Sequence, residues 1–538
     1  MSCSLSLLAV SAPHWVKKKV SSLDIQSLNS PTPFSLQNAI RLVAQKALGG
    51  EGYLGTSNWN TTEGLISSVV LYEYYEDSKV DFESKLLELK PDILLIGSMT
   101  LAFPGAIGFA KIAKQHLGDD ITIVLGGKHA IETTFLDDSV VGNNKNCSLR
   151  MMRDGVIPTV FDFILSGDGE EVIPHLIESI ADAKAKEVKL NIESFAAPLL
   201  TANGDWLLAW LNEDKSFGHI ESNKQEIDFD SIKAPFELFG VESNFSVFDS
   251  ELTAHIYSYM GKGCPYNCFF CSERRDINGR LVSKKGAVDR LVDQLLKLRD
   301  YGLEHLGHTN VSAFVEDSIL LGGGKKLLRE LLTKLKEENL RVKFGAQFTL
   351  DTLLSNKEII AELAEYGLYY IFLGMETNDE EIAKTIDKNT KGQSWNGRNK
   401  EVLSFLTEAG IKCGFSILFG LGETQEGRVT HLQQILKWQE EFSSPHVISL
   451  NWATLHPLRN KEICDKHLFT EWGVPSHYEN LDLLSQLFGE VSLEYCLPNI
   501  ELPSRENLNE ILTIFNEVNH QNENLNCQET EEPRVIRV

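Results

Sequence analysis

The stretch GKGCPYNCFFC, residues 261–271, places three of the nine cysteines of the chain close together, at Cys264, Cys268 and Cys271. Such closely spaced thiolates indicate a metal site, because cysteine binds both zinc and iron–sulfur clusters. A structural zinc site needs four ligands, usually from two CxxC pairs, and the sequence contains no second pair. Three thiolates on a four-iron cluster would leave one iron open for a further ligand. The spacing therefore favours an iron–sulfur cluster over zinc.

The composition of the chain argues against several classes of function. A chain of 538 residues is too long for a single hydrophobic core, so three structural units are expected. The formal net charge of −25 repels phosphate backbones, so nucleic acid is not expected as a partner. No apolar run approaches the roughly 18 residues of a membrane span, and LSLLAV (residues 5–10) lacks the basic flank of a signal peptide and predicts a strand. The odd, unevenly spread cysteines are not typical of a disulfide framework, which predicts a reducing, cytoplasmic location.

Residues 15–190 alternate short apolar runs with helical patterns, which predicts an α/β domain over residues 1–190. The runs are rich in β-branched and aromatic residues, as in strands buried on both faces of a parallel sheet. They are VVLYEYY (Val69–Tyr75), DILLIGSM (Asp92–Met99), ITIVLGG (Ile121–Gly127) and FDFILSG (Phe161–Gly167). The polar stretch 137–150 is predicted to be a loop insertion. The expected architecture is a doubly wound parallel sheet.

Small residues follow the ends of three of these predicted strands. Open α/β sheets bind ligands at the carboxyl ends of their strands, where the backbone can approach a ligand closely. The candidate ligand-contacting residues of this domain are Gly97, Ser98, Gly126, Gly127, Gly167 and Gly169. Glu170 and Glu171, which follow, are interpreted as acids at a helix N-terminus that interact with the helix dipole.

A second α/β alternation occupies residues 251–460. Six β/α units, without the two more that would complete eight, predict a partial parallel barrel. The predicted strands are HIYSYMG (255–261), NVSAFVED (310–317), RVKFGAQF (341–348), YYIFLGMET (369–377), KCGFSILFG (412–420) and HVISLNWATL (446–455).

The remaining stretches are a predicted connector and a predicted C-terminal segment. Residues 191–250 show no clear period and contain turn signals, which favours a connector. Residues 461–538 are predicted to form a helical segment with one amphipathic helix, RENLNEILTIFNEV (505–518). The polar tail from about Asn519 is predicted to be disordered.

The cysteine motif follows the first predicted barrel strand, and residues 254–460 resemble the radical S-adenosylmethionine (SAM) superfamily. The family signature CxxxCxxC falls on Cys264, Cys268 and Cys271, and Phe270 takes the usual aromatic position. The resemblance implies a [4Fe–4S] cluster whose open iron is chelated by the amino and carboxylate groups of SAM. It also implies that one electron from the cluster cleaves the sulfonium and releases a 5′-deoxyadenosyl radical. A reductant such as flavodoxin or ferredoxin would supply that electron.

The stretch SILFGLGE, residues 416–423, resembles the GxIxGxxE motif that approaches the adenine of SAM in this family. Leu418 takes the aliphatic position, Gly420 the middle glycine and Glu423 the acid. Ser416 replaces the first glycine of the family pattern. The resemblance implies that Ser416, Leu418 and Gly420 contact SAM.

Two further strand ends carry acids at positions that the family uses for SAM. Glu376, in GMET, lies where the family often places a polar side chain on the ribose or carboxylate of SAM. Glu316 and Asp317, in FVED, lie where the family binds the SAM ammonium group, although the usual GGE form is absent. The alternative for each is a solvated residue at the end of a strand.

The first α/β region resembles the cobalamin-binding domain that precedes the barrel in one branch of the superfamily. The matching stretches are KPDILLIGS, IVLGGKHA and FILSGDGEE, in the usual order and spacing. The DxHxxG motif, which elsewhere supplies a histidine to cobalt, is absent, since no Asp-x-His occurs before residue 190. Either a corrinoid binds there without a protein histidine, or the domain is a scaffold without cofactor.

This choice separates the possible reactions on an unactivated C–H bond of a peptide or small natural product. With cobalamin, the substrate radical would take a methyl group, as in a radical SAM methyltransferase. Without it, the radical would regain hydrogen from a thiol, as in the peptide epimerases that convert L- to D-residues, and Cys496 is the candidate donor. Strand parity points Cys413 outward, as a core thiol. A non-catalytic corrinoid- or SAM-binding sensor is the third possibility, and the acidic charge disfavours tRNA modification.

Overall fold

The computed structural model describes residues 5–15, 57–62, 65–70, 72, 74–142, 144–186, 196–228, 234, 236–239, 241, 246–249, 251–258, 264, 266–268, 270, 271, 273, 274, 286–386, 388, 394–442, 445–454, 480–488 and 500–526. These residues fall into two compact units, one within residues 5–239 and the other within residues 241–526. Of the helices among these residues, none is both long and apolar enough to cross a membrane.

The first unit is built on one sheet, in which eight strands pair across the described residues. Its strands and those of a small hairpin are β1 (Leu5–Ser11), β2 (Ser57–Thr62), β3 (Leu65–Val70), β4 (Ile93–Gly97), β5 (Thr122–Gly126), β6 (Leu136–Asp137), β7 (Val140–Val141), β8 (Phe163–Gly167), β9 (Trp206–Leu211) and β10 (Phe217–Glu221). The sheet order is β10-β9-β8-β5-β4-β1-β3-β2, and β6 pairs with β7. The five central strands are parallel, whereas β2, β9 and β10 pair antiparallel. The parallel core confirms the predicted α/β class.

Helices cover this sheet, and their apolar faces explain why its strands are apolar throughout. They are α1 (Tyr75–Leu89), α2 (Phe103–Leu117), α3 (Lys128–Thr133), α4 (Ser148–Arg153), α5 (Val172–Ala185), α6 (Ala196–Leu199) and α7 (Phe236–Phe239). All residues of β4 are buried. One face of the sheet packs on α5, where Leu95, Phe163 and Leu176 belong to one hydrophobic cluster. Strands buried on both faces are continuous apolar runs, as in parallel sheets generally.

Three stretches of the first unit differ from the predicted structure. The run Val69–Tyr75 leaves β3 at Val70 and enters α1 at Tyr75, because Tyr72 packs edge-on to Phe82 of α1 instead of continuing the strand. The predicted loop insertion 137–150 contains β7 and the start of α4. The predicted connector 191–250 contains the hairpin β9–β10, which extends the sheet. Its turn signals mark the hairpin, and the apolar run WLLAWL between them is a strand.

The second unit is built on a six-stranded sheet that curls into a partial barrel across the described residues. Its strands are β11 (Leu252–Ile256), β12 (Val311–Val315), β13 (Lys343–Phe348), β14 (Leu368–Glu376), β15 (Lys412–Phe419) and β16 (Pro445–Trp452). Each strand pairs in parallel with the next one along the chain. The order and direction confirm the predicted (β/α)6 partial barrel.

The helices of the second unit follow the β/α alternation. They are α8 (Ala287–Tyr301), α9 (Lys325–Glu337), α10 (Leu350–Ser355), α11 (Lys357–Glu365), α12 (Glu380–Thr385), α13 (Trp395–Glu408), α14 (Gln425–Glu441), α15 (Leu481–Phe488) and α16 (Arg505–Asn526). Helix α9 illustrates why these segments form helices that cover the sheet: its leucines recur at helical spacing, and Leu328, Leu331 and Leu335 are fully buried.

Asp249 ties together the amino ends of the barrel strands. Its carboxylate accepts hydrogen bonds at 2.9 Å from Nζ of Lys343, Nζ of Lys412 and the hydroxyl of Tyr369. Burial would raise the pKa of Asp249, but the hydrogen bonds from both lysines outweigh it and lower the pKa to about 2. This cluster lies at the edge of the sheet opposite to the strand ends that carry the predicted cofactor residues.

The C-terminal helix is longer than predicted. Helix α16 continues past Asn519 to Asn526, so the prediction of a disordered tail is wrong for residues 519–526. Leu508, Ile511 and Phe515 are fully buried, and the helix packs along α14. Once the packed apolar stripe has nucleated the helix, each added residue costs little free energy. Helix α16 therefore continues into the polar residues that follow.

Candidate functional site

The three cysteines lie on the chain that follows β11, at the carboxyl edge of the second sheet. Their thiols form no disulfide. The N–H of Cys264 donates to the carbonyl of Glu273 at 2.7 Å, and the N–H of Cys271 donates to the carbonyl of Cys268 at 3.0 Å. The N–H of Glu273 also donates to Sγ of Cys271, at 3.4 Å. The backbone therefore folds the motif into a closed loop.

Burial sets the protonation of these thiols. It raises the pKa of Cys268 to about 12 and that of Cys271 to about 11, and it raises the pKa of Cys264 as well. Repulsion between the thiolates adds to the pKa of Cys268 and Cys271, whereas the ammonium of Lys388 lowers the pKa of all three. The cysteines thus lie within electrostatic reach of one another. They must release protons when they bind a metal.

This donor set fits an iron–sulfur cluster. Among the described residues, no three His, Cys, Asp or Glu side chains converge closely enough to hold one metal ion. In a four-iron cluster each thiolate binds a different iron, so the sulfurs stay farther apart than they do around a single ion. Three thiols on one short loop match three of the four irons of such a cluster, and the fourth iron would stay open.

Glu376 lies at the end of β14 in a conformation that a non-glycine residue seldom adopts. Its φ is +48°, and the pairing of β14 with β15 shifts register between Leu373 and Glu376. Nζ of Lys388 donates to the carbonyl of Gly374 at 2.6 Å and to the carboxylate of Glu376. Both charged side chains are largely buried. Lys388, a residue that no sequence pattern singled out, thus pairs with Glu376 and lies within electrostatic reach of the cysteines.

Glu316 and Asp317 both have partners within the chain. Nδ1–H of His255 donates to Oε1 of Glu316 at 2.7 Å, and both side chains are buried. The N–H and the hydroxyl of Ser258 donate to the carboxylate of Asp317, whose pKa is raised by burial. These bonds connect the ends of β11 and β12. A contact of either acid with the SAM ammonium group stays a prediction.

The turn after β15 is held by Glu423. Its carboxylate accepts the N–H of Gly420 at 2.7 Å and the N–H of Leu421 at 2.9 Å. Gly420 has a φ of +79°, and a Cβ on it would lie 2.8 Å from the ring of Trp452. The glycine is therefore required by the fold of the turn itself, and close approach to adenine is an additional expectation. Ser416 is half-buried on β15, where the register with β16 shifts.

A hydrophobic cluster brings the cysteine loop and this turn together. Phe270, from between the second and third cysteines, packs on the same buried cluster as Leu418 and Ile500. The buried members of the cluster are Ile382, Ile386, Leu421 and Ala453. Leu418, predicted to contact SAM, thus shares one apolar patch with the aromatic residue of the cysteine motif.

A polar cleft of about 360 Å³ opens beside Leu418, between the chain after β14 and the first turns of α14. Its lining includes Thr377, Asn378, Asp379, Asn396, Leu418, Glu423, Glu426 and His431. Burial lowers the pKa of His431 to about 3, so its imidazole is neutral. The cleft offers hydrogen-bonding groups next to the apolar patch.

The carboxyl edge of the first sheet is formed largely by backbone. Gly97 and Gly126 are paired across β4 and β5, and the N–H of Ser98 donates to the carbonyl of Gly126 at 3.0 Å. Gly127 starts α3 with a φ of +88°. A Cβ on Gly126 would meet only ordinary contact, with the nearest atom at 3.6 Å. Packing among the described residues therefore does not require a glycine at position 126.

Gly167 has a different explanation from the one predicted. Its φ is +100°, and a Cβ on it would lie 2.1 Å from the carbonyl oxygen of Asp205, next to β9. The antiparallel strand that the sequence reasoning missed thus demands this glycine, whether or not a ligand binds. Gly169 is buried, and its carbonyl accepts the N–H of Ile173 at the start of α5.

A buried polar network behind this edge was also missed. The hydroxyl of Thr100 donates to Oε2 of Glu132 at 2.8 Å. Because a hydroxyl has one proton, Nδ1–H of His129 is the donor in the 3.2 Å contact between His129 and Thr100. His129 is fully buried, burial lowers its pKa to about 3, and its ring stacks on Phe103. The network links the segments that follow β4 and β5, and the imidazole of His129 is neutral in it.

The candidate hydrogen donor Cys496 lies outside the described residues, so its role stays a prediction. Cys413 is fully buried on β15, and burial raises its pKa. Its thiol is therefore protonated.

Residues 258–435 match the model of the radical SAM superfamily. This region, which contains the cysteine loop and the turn after β15, is therefore a radical SAM domain. A domain of that superfamily implies SAM and a [4Fe–4S] cluster as cofactors.

Three curated proteins illustrate the relatives of the chain. An uncharacterised methyltransferase of Pyrococcus horikoshii is 23% identical over 318 residues, which cover 58% of each chain. The anaerobic magnesium-protoporphyrin IX monomethyl ester cyclase of Rubrivivax gelatinosus is 23% identical over 410 residues, 76% of this chain and 63% of that one. The hopanoid C-3 methylase of Methylococcus capsulatus is 23% identical over 389 residues, 72% of this chain and 63% of that one. The chain spans less than two thirds of the length of each.

Two solved structures are also similar. The cobalamin-dependent SAM radical enzyme OxsB with aqua-cobalamin bound has a TM-score of 0.47 at 15% identity, over 80% of this chain and 52% of that one. The radical SAM methyltransferase TsrM from Kitasatospora setae, with cobalamin and a [4Fe–4S] cluster bound, has a TM-score of 0.49 at 15% identity, over 84% of this chain and 76% of that one.

Proposed function

We propose that this protein is a radical SAM methyltransferase that acts on an unactivated C–H bond of a small molecule or peptide and uses a corrinoid bound at the edge of the first sheet. The observation that carries the proposal is the three-thiol loop inside the radical SAM domain, in which Cys268 is buried and Cys264 and Cys271 are partly buried, with Phe270 packed on the same cluster as Leu418. Two of the relatives carry methyl-transfer names.

In this proposal Cys264, Cys268 and Cys271 hold the cluster. When bound, the cluster supplies the electron that cleaves SAM, and the corrinoid supplies the methyl group. Phe270 and Leu418 exclude water beside the adenosyl group, since both belong to one apolar patch. Lys388 and Glu376 place one cation and one anion near the cysteine loop, which matches the carboxylate and ammonium of a zwitterionic amino acid.

The first sheet supports a corrinoid through its backbone. Gly97, Ser98, Gly126 and Gly127 line the carboxyl ends of β4 and β5, where open α/β sheets bind ligands. Gly126 supports the proposal, because its packing would accept a side chain and close approach of a ligand gives a reason for glycine there. Gly167 gives no such support, because Asp205 already explains it.

The test is an anaerobic reaction of the reconstituted protein with SAM, dithionite and hydroxocobalamin. Without substrate, reductive cleavage still yields 5′-deoxyadenosine, because the adenosyl radical takes a hydrogen atom from the mixture. A second SAM gives its methyl group to the reduced corrinoid and leaves S-adenosylhomocysteine. We expect both products, and stoichiometric retention of corrinoid after desalting. Gly126→Trp should release the corrinoid, and Val156→Trp, at an exposed position of the same unit, should not.

Other outcomes select other functions. Retention of SAM or corrinoid without 5′-deoxyadenosine would indicate a sensor. Release of 5′-deoxyadenosine without S-adenosylhomocysteine and without bound corrinoid would exclude methyl transfer. In that case, a peptide substrate that takes up deuterium from deuterated water would identify epimerisation. The Cys496→Ala variant should no longer place that deuterium in the peptide.

A further inference from the structure

Arg428, on the first turn of α14, is a fully buried cation that contacts two separate parts of the second unit. On one side its Nε donates to Oε1 of Glu423 at 2.8 Å. On the other side its Nη1 donates to Oδ1 of Asn507 at 3.3 Å, and its Nη2 donates to the carbonyl of Glu501. The guanidinium also lies over the ring of Trp452, 5.1 Å from its centre. One side chain therefore joins the turn after β15 to the chain that leads into α16.

The turn depends on this contact. The carboxylate of Glu423 holds the N–H groups of Gly420 and Leu421, and Arg428 supplies the positive charge that balances it. The ring of Trp452 lies close both to the guanidinium and to Gly420, so displacement of Arg428 would also loosen the ring that packs on the glycine. A buried carboxylate without its cation is costly, and the turn would rearrange to reach water.

The C-terminal segment, defined here as residues 500–526, is held by contacts with the same region, the start of α14. The side-chain amide of Gln425 donates to Oε1 of Glu501 at 3.0 Å, and its Oε1 accepts the N–H of Ser504 at 3.0 Å. Nδ2 of Asn507 donates to the carbonyl of Gln425 at 3.0 Å. Ile500 packs on the apolar patch that contains Leu418 and Phe270. The segment thus contacts both the start of α14 and the patch.

We propose that the C-terminal segment forms part of the SAM site and that Arg428 is the positioning residue that couples its docking to the turn after β15. The inference rests on the proposed function in one respect, namely that this turn contacts SAM. If the turn and the segment are held by one shared cation, SAM that stabilises the turn must also stabilise the docked segment. Such coupling is reciprocal, so loss of docking weakens SAM binding by the same factor.

The experiment measures hydrogen exchange of residues 505–519 in the cluster-loaded protein, with and without SAM and with no reductant present. In the wild type, SAM should slow exchange across α16. In Arg428→Met, which keeps the aliphatic stem but removes the charge, SAM should no longer change that exchange. The dissociation constant for SAM should rise about tenfold, with the cluster absorbance unchanged. Arg428→Lys keeps the charge without the fork and should give an intermediate value.

The matched control is Lys343→Met. Lys343 is a partly buried cation of the same unit that pairs with Asp249 at the amino edge of the sheet, opposite to the turn after β15. This variant should lose stability yet keep the effect of SAM on α16. If Arg428→Met does not fold, Asn507→Ala removes one of the shared contacts and should reduce the coupling on its own. Wild-type protein that binds SAM without any change in α16 overturns the coupling alone, whereas wild-type protein that does not bind SAM overturns the proposed function with it.

Discussion

The carboxyl edges of the two parallel sheets differ in how they are built. At the edge of the second sheet, ionisable side chains lie buried in pairs: Glu316 with His255, Glu376 with Lys388, and Glu423 with Arg428. At the edge of the first sheet, the ends of β4 and β5 are formed by backbone, with Gly97 buried, Gly126 partly buried and a buried polar network behind them.

This difference indicates which kind of ligand each edge can recognise. Buried charge pairs hold donors and acceptors in place before a ligand arrives, which suits a small zwitterion and redox chemistry. Backbone and open space suit a large flat ligand that is recognised by shape. Changes at the second edge should therefore abolish chemistry or unfold the unit, whereas changes at the first edge should separate ligand binding from stability.

The largest expected effect is at the cysteine loop. Wild-type protein reconstituted without oxygen should carry about four irons per chain. Replacement of any one of Cys264, Cys268 and Cys271 by Ala should abolish both iron binding and 5′-deoxyadenosine formation, measured by iron analysis and chromatography. Cys413→Ala, at a fully buried thiol, should keep the iron. One zinc per chain in place of iron would contradict the assignment of the loop.

The next effect is at Lys388. Lys388→Met leaves Glu376 as a buried charge without its cation, and we expect the free energy of unfolding of the second unit to fall by about 3 kcal/mol. Urea unfolding measures it. The double variant Lys388→Met/Glu376→Leu should recover most of the loss, because no unpaired charge remains. A double variant as unstable as the single one would show that the pair is not the cause.

A comparison of two glycines tests the first edge. Gly167→Ala should destabilise the first unit by about 2 kcal/mol or more, because a positive φ and the clash with Asp205 both oppose a side chain. Gly126→Ala should leave the stability nearly unchanged, since its Cβ has room. Urea unfolding of both variants, with corrinoid binding measured in parallel, separates the roles. Equal losses of stability would remove the reason for assigning Gly126 to a ligand.

The smallest effect is at the amino edge of the second sheet, away from both candidate sites. The folded pKa of Asp249, about 2, lies below the ordinary value of an unfolded aspartate. Its contribution to stability is therefore fully present above that ordinary value and is lost as the pH falls toward about 2. Because the carboxylate is about half exposed, we expect only about 1 kcal/mol.

The measurement is urea unfolding at several pH values between 5 and 3, for the wild type and Asp249→Asn. The variant should lose the contribution of Asp249 at pH 5 and show a shallower dependence on pH. SAM binding and corrinoid binding should not change. Identical pH profiles would show that the contacts with Lys343 and Lys412 do not stabilise the fold.

Much of the architecture follows from local patterns. Five of the six barrel strands occur at the predicted runs, because β-branched and aromatic residues between helical patterns favour a buried parallel sheet. The first strand, β11, differs: it spans Leu252–Ile256 and shares only its last two residues with the predicted run 255–261. The hairpin β9–β10 lies where the turn signals predict a connector, because turn residues mark a hairpin as well as a break between elements. The segment Val69–Tyr75 does not continue as a strand, because Tyr72 packs on Phe82 of α1 and Tyr75 is the first residue of that helix.

The sequence by itself determined the cysteine motif, the class of both sheets and the glycine turn after β15, since each depends on residues that are neighbours along the chain. Only the tertiary structure decided that Lys388 lies within electrostatic reach of the cysteines and that Gly167 is demanded by Asp205. It alone brought Arg428 to Asn507. The physical reason is that a buried charge or a close backbone contact is satisfied by whatever lies near it in space, and sequence spacing carries no record of contacts between distant segments.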